Sequence, residues 1–170
     1  MTTKAIAYTT SASVFSTDGI LDSLASSSTW LAGEESNVID NSVNLFLDAY
    51  LAGRFKANAS TPTAGQIRVY VGALLDDSKY PDVFDGTESA ETITSADIRD
   101  SILKLAAFIP TDTTANRVYE FAPVSIAQLF GGVMPRKWFV FVTHSMVTAL
   151  NATANNGGQC WYTGVKSTDE

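Results

Sequence analysis

The stretch QIRVYV, residues 66–71, decides the fold class because its apolar and polar side chains alternate. In an extended strand, Ile67, Val69 and Val71 point to one face and Tyr70 points to the other. A strand with one apolar face is typical of an antiparallel sheet that packs this face against a second layer. The stretch therefore predicts an all-β protein in which the three aliphatic residues are buried.

Upstream in the chain, residues 42–51 (SVNLFLDAYL) repeat this period of two. The apolar odd-numbered positions are expected to face inward and Tyr50 to face outward. These inward positions are Val43, Leu45, Leu47, Ala49 and Leu51. Residues 137–143 (KWFVFVT) and 159–165 (QCWYTGV) have the β-branched and aromatic composition of strands, and we expect these two to pair as neighbours.

The chain shows about five to eight such strands, joined by irregular loops and without alternating helices. This order disfavours a parallel doubly wound sheet and predicts an antiparallel β-sandwich. Long loops that cross between the layers favour a jelly roll over a simple meander. One or two short helices are expected, because Ser125 and Gln128 form a capping box and Gly131 stands at the C-cap position.

Residues 1–37 differ from the rest because they are rich in Ser, Thr and Ala and have no sustained period. We interpret them as an extended N-terminal arm that precedes a β-sandwich domain of residues 38–170. The arm contains one predicted short helix, which is marginal alone and needs a surface on its own domain, a neighbouring subunit or a partner. The residues expected to bind such a partner are Ile20, Leu21, Leu24 and Trp30.

The charge balance argues against nucleic acid as a partner. The chain has 170 residues, with 11 Lys and Arg against 18 Asp and Glu and a formal net charge of -7. A phosphate-binding surface needs clustered basic residues, which are scattered here. The N-terminus lacks the apolar core of a signal peptide, and no run approaches the roughly 18 apolar residues of a membrane span. We therefore expect no membrane association.

Few residues could carry catalysis or hold a cofactor. The single cysteine, Cys160, excludes an internal disulfide, and the single histidine, His144, excludes a multi-histidine metal centre. No Gly-x-Ser-x-Gly motif accompanies His144, which we interpret as a buried structural residue. In the acidic stretch, Asp82 and Asp85 are weak candidates for a cation site, but the EF-hand spacing is absent. We predict no cofactor and no enzymatic activity.

Tyr50 and Tyr70 occupy outward positions of their strands and are candidates for an exposed aromatic surface. Trp138 and Trp161, in contrast, lie in apolar runs that are typical of a core or a subunit contact. On a small all-β domain, an exposed aromatic patch marks either assembly between subunits or a platform for a glycan.

Several short motifs follow one another along the chain: ILDSLA at 20–25, IDNSVNL at 39–45, YPD at 80–82, DGT at 85–87, ALNATA at 149–154 and WY at 161–162. In this order the chain resembles the small virion structural proteins of tailed bacteriophages that decorate or cement the head. The resemblance implies a β-sandwich or jelly-roll subunit, commonly a homotrimer, without catalytic activity. It further implies binding to the major capsid protein on the outside of the virion, after synthesis in the host cytoplasm.

Two alternatives remain open. A carbohydrate-binding or host-adhesion module on the same virion would use Tyr50, Tyr70 and the acidic stretch of residues 76–88 to hold a glycan. A tail or baseplate component would share the fold and differ only in its location on the particle.

Overall fold

The structure, a computed structural model, describes residues 4–17, 19–153 and 159–169. Within these residues the strands are β1 Lys4–Tyr8, β2 Ala12–Ser13, β3 Ala32–Glu35, β4 Ile39–Asp40, β5 Asp48–Lys56, β6 Gly65–Ala73, β7 Ser89–Thr92, β8 Leu103–Thr111, β9 Val118–Ser125, β10 Lys137–His144 and β11 Cys160–Asp169. The helices are α1 Asn41–Asn44, α2 Ala96–Ile102 and α3 Ile126–Leu129. No helix in this part of the chain has the length and apolar character that crossing a bilayer requires.

The strands form two antiparallel sheets that pack face to face. The first sheet has the order β1-β11-β5-β9 and the second has the order β7-β3-β10-β6-β8, while β2 and β4 add short pairings to β11 and β10. The pairs β1–β11, β3–β10, β5–β9 and β6–β8 are nested, as in one long hairpin rolled over itself. This is a jelly-roll arrangement, and it confirms the predicted all-β antiparallel sandwich.

The pairing expected between β10 and β11 is wrong, because the two strands lie in different sheets. β10 runs between β3 and β6, whereas β11 runs between β1 and β5. Rolling the hairpin carries the chain across the end of the sandwich between these strands. Proximity in sequence therefore does not decide their neighbours here.

The main core lies between the sheets and is built from the alternating side chains of β5, β6 and β10. Ile67, Val69 and Val71 are fully buried, as predicted, and Leu51 belongs to the same apolar cluster. From β10 the cluster receives Trp138, Val140 and Val142. Each large aliphatic side chain buried in this way contributes about 1.5–3 kcal/mol to folding.

Residues 42–47 do not continue β5 toward its N-terminus, contrary to the prediction. The Asp40 side chain accepts the Ser42 N–H at 2.8 Å and caps α1, so the chain turns before the strand begins at Asp48. Ala49 and Leu51 are buried as expected. The three apolar residues before them are exposed instead, and these are Val43, Leu45 and Leu47.

The structure corrects the interpretation of residues 1–37 as a separate arm. Their described part supplies β1 and β2 to the first sheet and β3 to the second. Residues 19–24 form turns rather than the predicted helix, and Leu21 and Leu24 enter the main core between the sheets. The Thr17 N–H also donates to the Glu88 carboxylate at 2.7 Å. This segment is therefore part of the sandwich, because its strands pair within both sheets and Leu21 and Leu24 are buried in the main core, while Ile6 and Tyr8 of β1 remain exposed.

A second, smaller core covers the outer face of the second sheet. The segment between β6 and β8, which includes the acidic stretch, folds over this face and inserts Phe84 and Ile93. They pack with Phe139, Phe141 and Tyr70 of the sheet. Tyr70 does point away from the main core, but it is only 3% exposed, so the prediction of an exposed Tyr70 is wrong. Its burial depends on a segment that lies far from it in sequence.

The N-cap half of the predicted capping box is confirmed. The Ser125 side chain accepts the Gln128 N–H at 3.0 Å and begins α3, and Gly131 has a φ of 77°. Three short helices are present in the described residues where one or two were expected, since α1 and α2 begin at the additional caps Asp40 and Ser95.

Candidate functional site

The residues predicted to bind a partner through an arm do not form an accessible surface. Leu21 is fully buried and Leu24 is 5% exposed, both in the main core, and Ile20 packs against the same core. Trp30 is half-buried, and the Arg68 guanidinium lies 3.7 Å from the centre of its ring. Ile20, Leu21 and Leu24 therefore lie close together, but they contact the core of their own domain.

Tyr50 and Tyr70 lie on different sheets and share no surface. Tyr50 is exposed on the outer face of the first sheet, where it pairs with Thr163 of β11. Tyr70 lies beneath the segment that covers the second sheet. The predicted surface is therefore reduced to Tyr50 and its own neighbours, which include the exposed Tyr8 of β1 and the half-buried Trp161 of β11.

His144 and Cys160 have structural positions. His144 is fully buried, its Nε2–H donates to the Leu24 carbonyl oxygen at 2.8 Å, and its Nδ1 accepts the Met146 N–H at 3.3 Å. Burial lowers the pKa of His144, with the bond to Leu24 opposing this shift, so the neutral ring is favoured. Burial raises the pKa of the Cys160 thiol, which favours the unreactive protonated form.

Asp82 and Asp85 serve as acceptors within the acidic segment. The Asp82 carboxylate accepts the Thr94 N–H at 2.9 Å and its hydroxyl at 2.6 Å. The Asp85 carboxylate accepts the N–H and hydroxyl of Thr87, and these bonds lower the pKa of Asp85. Across residues 4–17, 19–153 and 159–169, no three His, Cys, Asp or Glu side chains are grouped so that they could hold a metal ion.

A group of exposed apolar side chains lies on three loops at one end of the sandwich. The loops are residues 41–47, 74–79 and 130–136. The Asn41 N–H donates to the Arg136 carbonyl oxygen at 2.7 Å, and the Leu74 N–H donates to the Lys137 carbonyl oxygen at 3.2 Å, so the loops are neighbours. Five of their large apolar residues are between 56% and 78% exposed. We call this group the apolar end, and it consists of Val43, Leu45, Leu47, Leu75 and Val133.

Asn41 holds the first of these loops in one conformation. Its buried side chain donates from Nδ2 to the Phe46 carbonyl oxygen at 3.1 Å and accepts the Phe46 N–H at Oδ1 at 2.8 Å. Phe46 is buried against β11, where a Cβ atom added to Gly164 would lie 2.3 Å from the ring. The loop is anchored through these two residues, while the apolar residues beside them stay in solvent.

Leu45 has an unfavourable backbone conformation for its residue type. Its φ of 55° and ψ of 39° lie in the left-handed region, which costs a leucine roughly 1–2 kcal/mol. Burial does not offset this cost, because Leu45 is exposed. A strained and anchored loop of this kind presents its leucine in a preorganised position, so little further ordering is needed when a partner binds.

The charged residues around the apolar end neutralise one another. Arg136 pairs with Asp77 at 2.8 Å and Lys137 with Asp40 at 3.7 Å. A hydrogen bond from the Ser42 hydroxyl is the main cause that lowers the pKa of Asp40, so this carboxylate stays charged at neutral pH. Because the pairs cancel, apolar contact rather than net charge is the dominant property of this surface.

The sequence reasoning missed this surface. Leu75 and Val133 belong to no periodic pattern, and Val43, Leu45 and Leu47 match the pattern of a buried strand. One local signal was present, since Asp40 and Asn41 are both residues that cap helices and interrupt strands. Reading that signal would have placed the three following apolar residues in a loop.

Comparison of the chain with protein-family models, with curated proteins and with solved structures found no match in any of the three.

Proposed function

We propose that this protein is a non-enzymatic virion structural protein of a tailed bacteriophage, which decorates the head by binding the shell of major capsid protein. The observation that carries the proposal is the apolar end, where five large apolar side chains are exposed on neighbouring loops. Large apolar side chains that are exposed together on neighbouring loops are typical of contacts with other proteins. The sequence motifs that resemble phage head proteins support the capsid shell as the partner.

Such a protein acts through mass action. A ligand that binds the assembled shell, and not its separate subunits, stabilises the assembly by RT ln(1 + [L]/Kd). A homotrimer would also gain from multivalency, because its second and third contacts with the shell are effectively intramolecular. The outer face of the first sheet is the surface that we propose for trimerisation, since Tyr8, Tyr50 and Trp161 leave aromatic area there on adjacent strands.

The same aromatic face favours a second candidate, a glycan-binding or host-adhesion module. Aromatic rings combine a large apolar area with, in tyrosine and tryptophan, a polar group that can bond to a hydroxyl. Jelly rolls occur in lectins as well as in capsid proteins, so the fold does not separate the two candidates. Glycan binding that Tyr50→Ala abolishes in a folded protein would favour this second candidate. Imaging the virion would separate a head position from one on the tail or baseplate.

Leu45→Asn is expected to weaken binding to undecorated capsids while leaving the domain at least as stable as wild type. Asparagine tolerates the left-handed region better than leucine, so the free energy of unfolding should rise by up to about 1 kcal/mol. Losing an exposed apolar anchor should weaken binding by about 1–3 kcal/mol, which corresponds to roughly 5- to 150-fold in Kd. Urea denaturation measures the first effect, and co-sedimentation with capsids measures the second.

Val147 offers a matched control. It is also exposed and also in the left-handed region, with a φ of 65°, but it follows the C-terminal end of β10 and therefore lies at the opposite end of the sandwich. Val147→Asn should reproduce the gain in stability without loss of capsid binding. Unchanged binding by Leu45→Asn, or an equal loss in both variants, would contradict docking through the apolar end.

A further inference from the structure

A shallow depression of about 410 Å³ lies beside β8, the edge strand of the second sheet, and its wall is positively charged. It is lined by residues of β6, α2 and β8 together with Leu129 of α3. Three of the lining side chains are basic, namely Arg68, Arg99 and Lys104, and one, Asp100, is acidic. A local excess of positive charge stands out in a chain whose formal net charge is -7.

Arg68 is held in one position by neutral groups. Its guanidinium lies over the ring of Trp30, 3.7 Å from the centroid, in a cation–π contact. Its Nε and Nη2 donate to the Gln66 side-chain oxygen at 3.0 and 2.9 Å, and its Nη1 donates to the Tyr70 hydroxyl at 3.2 Å. Because Gln66 and Tyr70 are two residues away on the same strand face, β6 itself orients the guanidinium.

These bonds leave two N–H donors of the Arg68 guanidinium without a hydrogen-bond acceptor. A guanidinium has five N–H donors, and the bonds to Gln66 and Tyr70 occupy three of them. The two that remain are one on Nη1 and one on Nη2, and a carboxylate can accept from one N–H on each of these nitrogens in bidentate geometry. Within the described part of the chain, no carboxylate lies within 4.0 Å of Arg68, so its guanidinium forms no ion pair at contact distance. The hydrogen bond from Arg99 is the main cause that lowers the pKa of Asp100, and the charge of Arg68 adds to this effect from a greater distance.

Arg99 differs from Arg68 because it already forms an ion pair with a carboxylate of the same chain. It is 7% exposed, its Nε donates to the Asp100 carboxylate at 2.8 Å, and its Nη1 donates to the Thr29 carbonyl oxygen at 2.9 Å. Arg99 and Asp100 therefore act as a fixed wall of the depression. Lys104 is exposed on β8 and adds a positive charge at the rim.

We propose that this depression is a receptor for a carboxylate group, which Arg68 binds through its two free N–H donors. The ligand is a carboxylate on a larger molecule, carried either by an acidic side chain of a partner protein or by an acidic sugar. The site involves none of the residues of the apolar end, so it can hold whether or not that end docks on a capsid.

The test is titration of the intact protein with small carboxylates, followed through the side-chain NMR signals of its arginines at constant ionic strength. Acetate should shift the Arg68 Nε–H signal in a saturable way. Arg68→Lys keeps the charge but removes the fork, so acetate should bind about tenfold more weakly or not at all, as followed through backbone amides near the site. Arg54→Lys, on the first sheet, should bind as wild type does.

Gln66→Glu supplies a second variant that preserves the shape of the site. Its carboxylate would neutralise Arg68 from the same position that Gln66 occupies, so acetate affinity should again fall about tenfold. Glucuronate compared with glucose, and N-acetylglutamate amide compared with N-acetylglutamine amide, then separate the two sources of the carboxylate: the tighter of the two acidic probes identifies the source. The proposal is overturned if wild type shows no saturable shift, if Arg68→Lys and Gln66→Glu bind acetate as wild type does, or if glucose binds as well as glucuronate.

Discussion

Leu21→Ala is expected to lower the free energy of unfolding by about 2–5 kcal/mol, a large part of the stability of a domain of this size. Leu21 is fully buried in the main core, although its sequence context is that of an irregular N-terminal segment. Removing its side chain forfeits the transfer free energy and leaves a cavity that the two sheets can close only partly. Urea denaturation followed by tryptophan fluorescence measures the loss.

Leu75→Ala is the matched control for this prediction. Leu75 is 71% exposed, so its truncation should change the free energy of unfolding by less than about 0.5 kcal/mol. An arm that binds only a partner would behave differently, because Leu21→Ala would then weaken capsid binding without moving the urea midpoint. Equal midpoints for Leu21→Ala and Leu75→Ala would contradict the burial of this segment in its own domain.

The second large effect is expected from pH and arises at Glu35. This β3 residue is fully buried, and its carboxylate accepts the Gly86 N–H at 2.9 Å and the Asp85 N–H at 3.2 Å. Burial raises the pKa of Glu35 to about 7, and the two N–H groups oppose the shift only in part. Burial also raises the pKa of the adjacent Glu34 to about 7, with the charge of Glu91 adding to the effect.

The direction of the pH dependence follows from these shifts. Between the ordinary pKa of 4.5 and the folded value of about 7, the folded chain binds the Glu35 proton more tightly than the unfolded chain does. The resulting stabilisation is complete below pH 4.5 and is lost as the pH rises through 7. Relative to Glu35→Gln, wild type should therefore be more stable at pH 5 than at pH 8, by on the order of 1–3 kcal/mol.

Glu35→Gln isolates this carboxyl group from the others that titrate. The lowered pKa of His144 acts in the opposite direction, since the unfolded chain takes up that proton below about pH 6.5. Both proteins contain His144 and Glu34, so subtracting their unfolding curves cancels these contributions to first order. The quantity to compare is the free energy of unfolding of wild type minus that of Glu35→Gln. If this difference is the same at pH 5 and pH 8, or is larger at pH 8, the raised pKa of Glu35 is contradicted.

The N-terminal segment shows where pattern-based reasoning fails. Leu21 and Leu24 are separated by polar residues and belong to no strand or helix, so their spacing predicts no burial. They are buried because the chain lies between the Thr17–Glu88 contact and the His144–Leu24 hydrogen bond, which join positions more than 70 residues apart. A periodic pattern predicts burial only in regular strands and helices, whereas an irregular segment can bury side chains without any such pattern.

Tyr70 and Leu45 illustrate the same limit at the candidate sites. Tyr70 points to the outer face of its strand, as alternation predicts, but a distant segment covers that face. Leu45 fits an inward position of a strand, yet the Asp40 cap and the Asn41 side chain turn the chain before that strand begins. In both cases the local pattern is present, and contacts beyond it decide the exposure on which a binding surface depends.

An antiparallel β-sandwich, the strands β6 and β10 and the cap of α3 can all be predicted from the amino-acid sequence alone. This is possible because the alternation of a strand and the capping of a helix are properties of the local backbone. Which strands share a sheet, which outer face is covered and which apolar residues reach solvent depend instead on contacts between distant parts of the folded chain. Side-chain chemistry shows that a residue is suited to burial, whereas the atoms that bury it come from elsewhere in the chain.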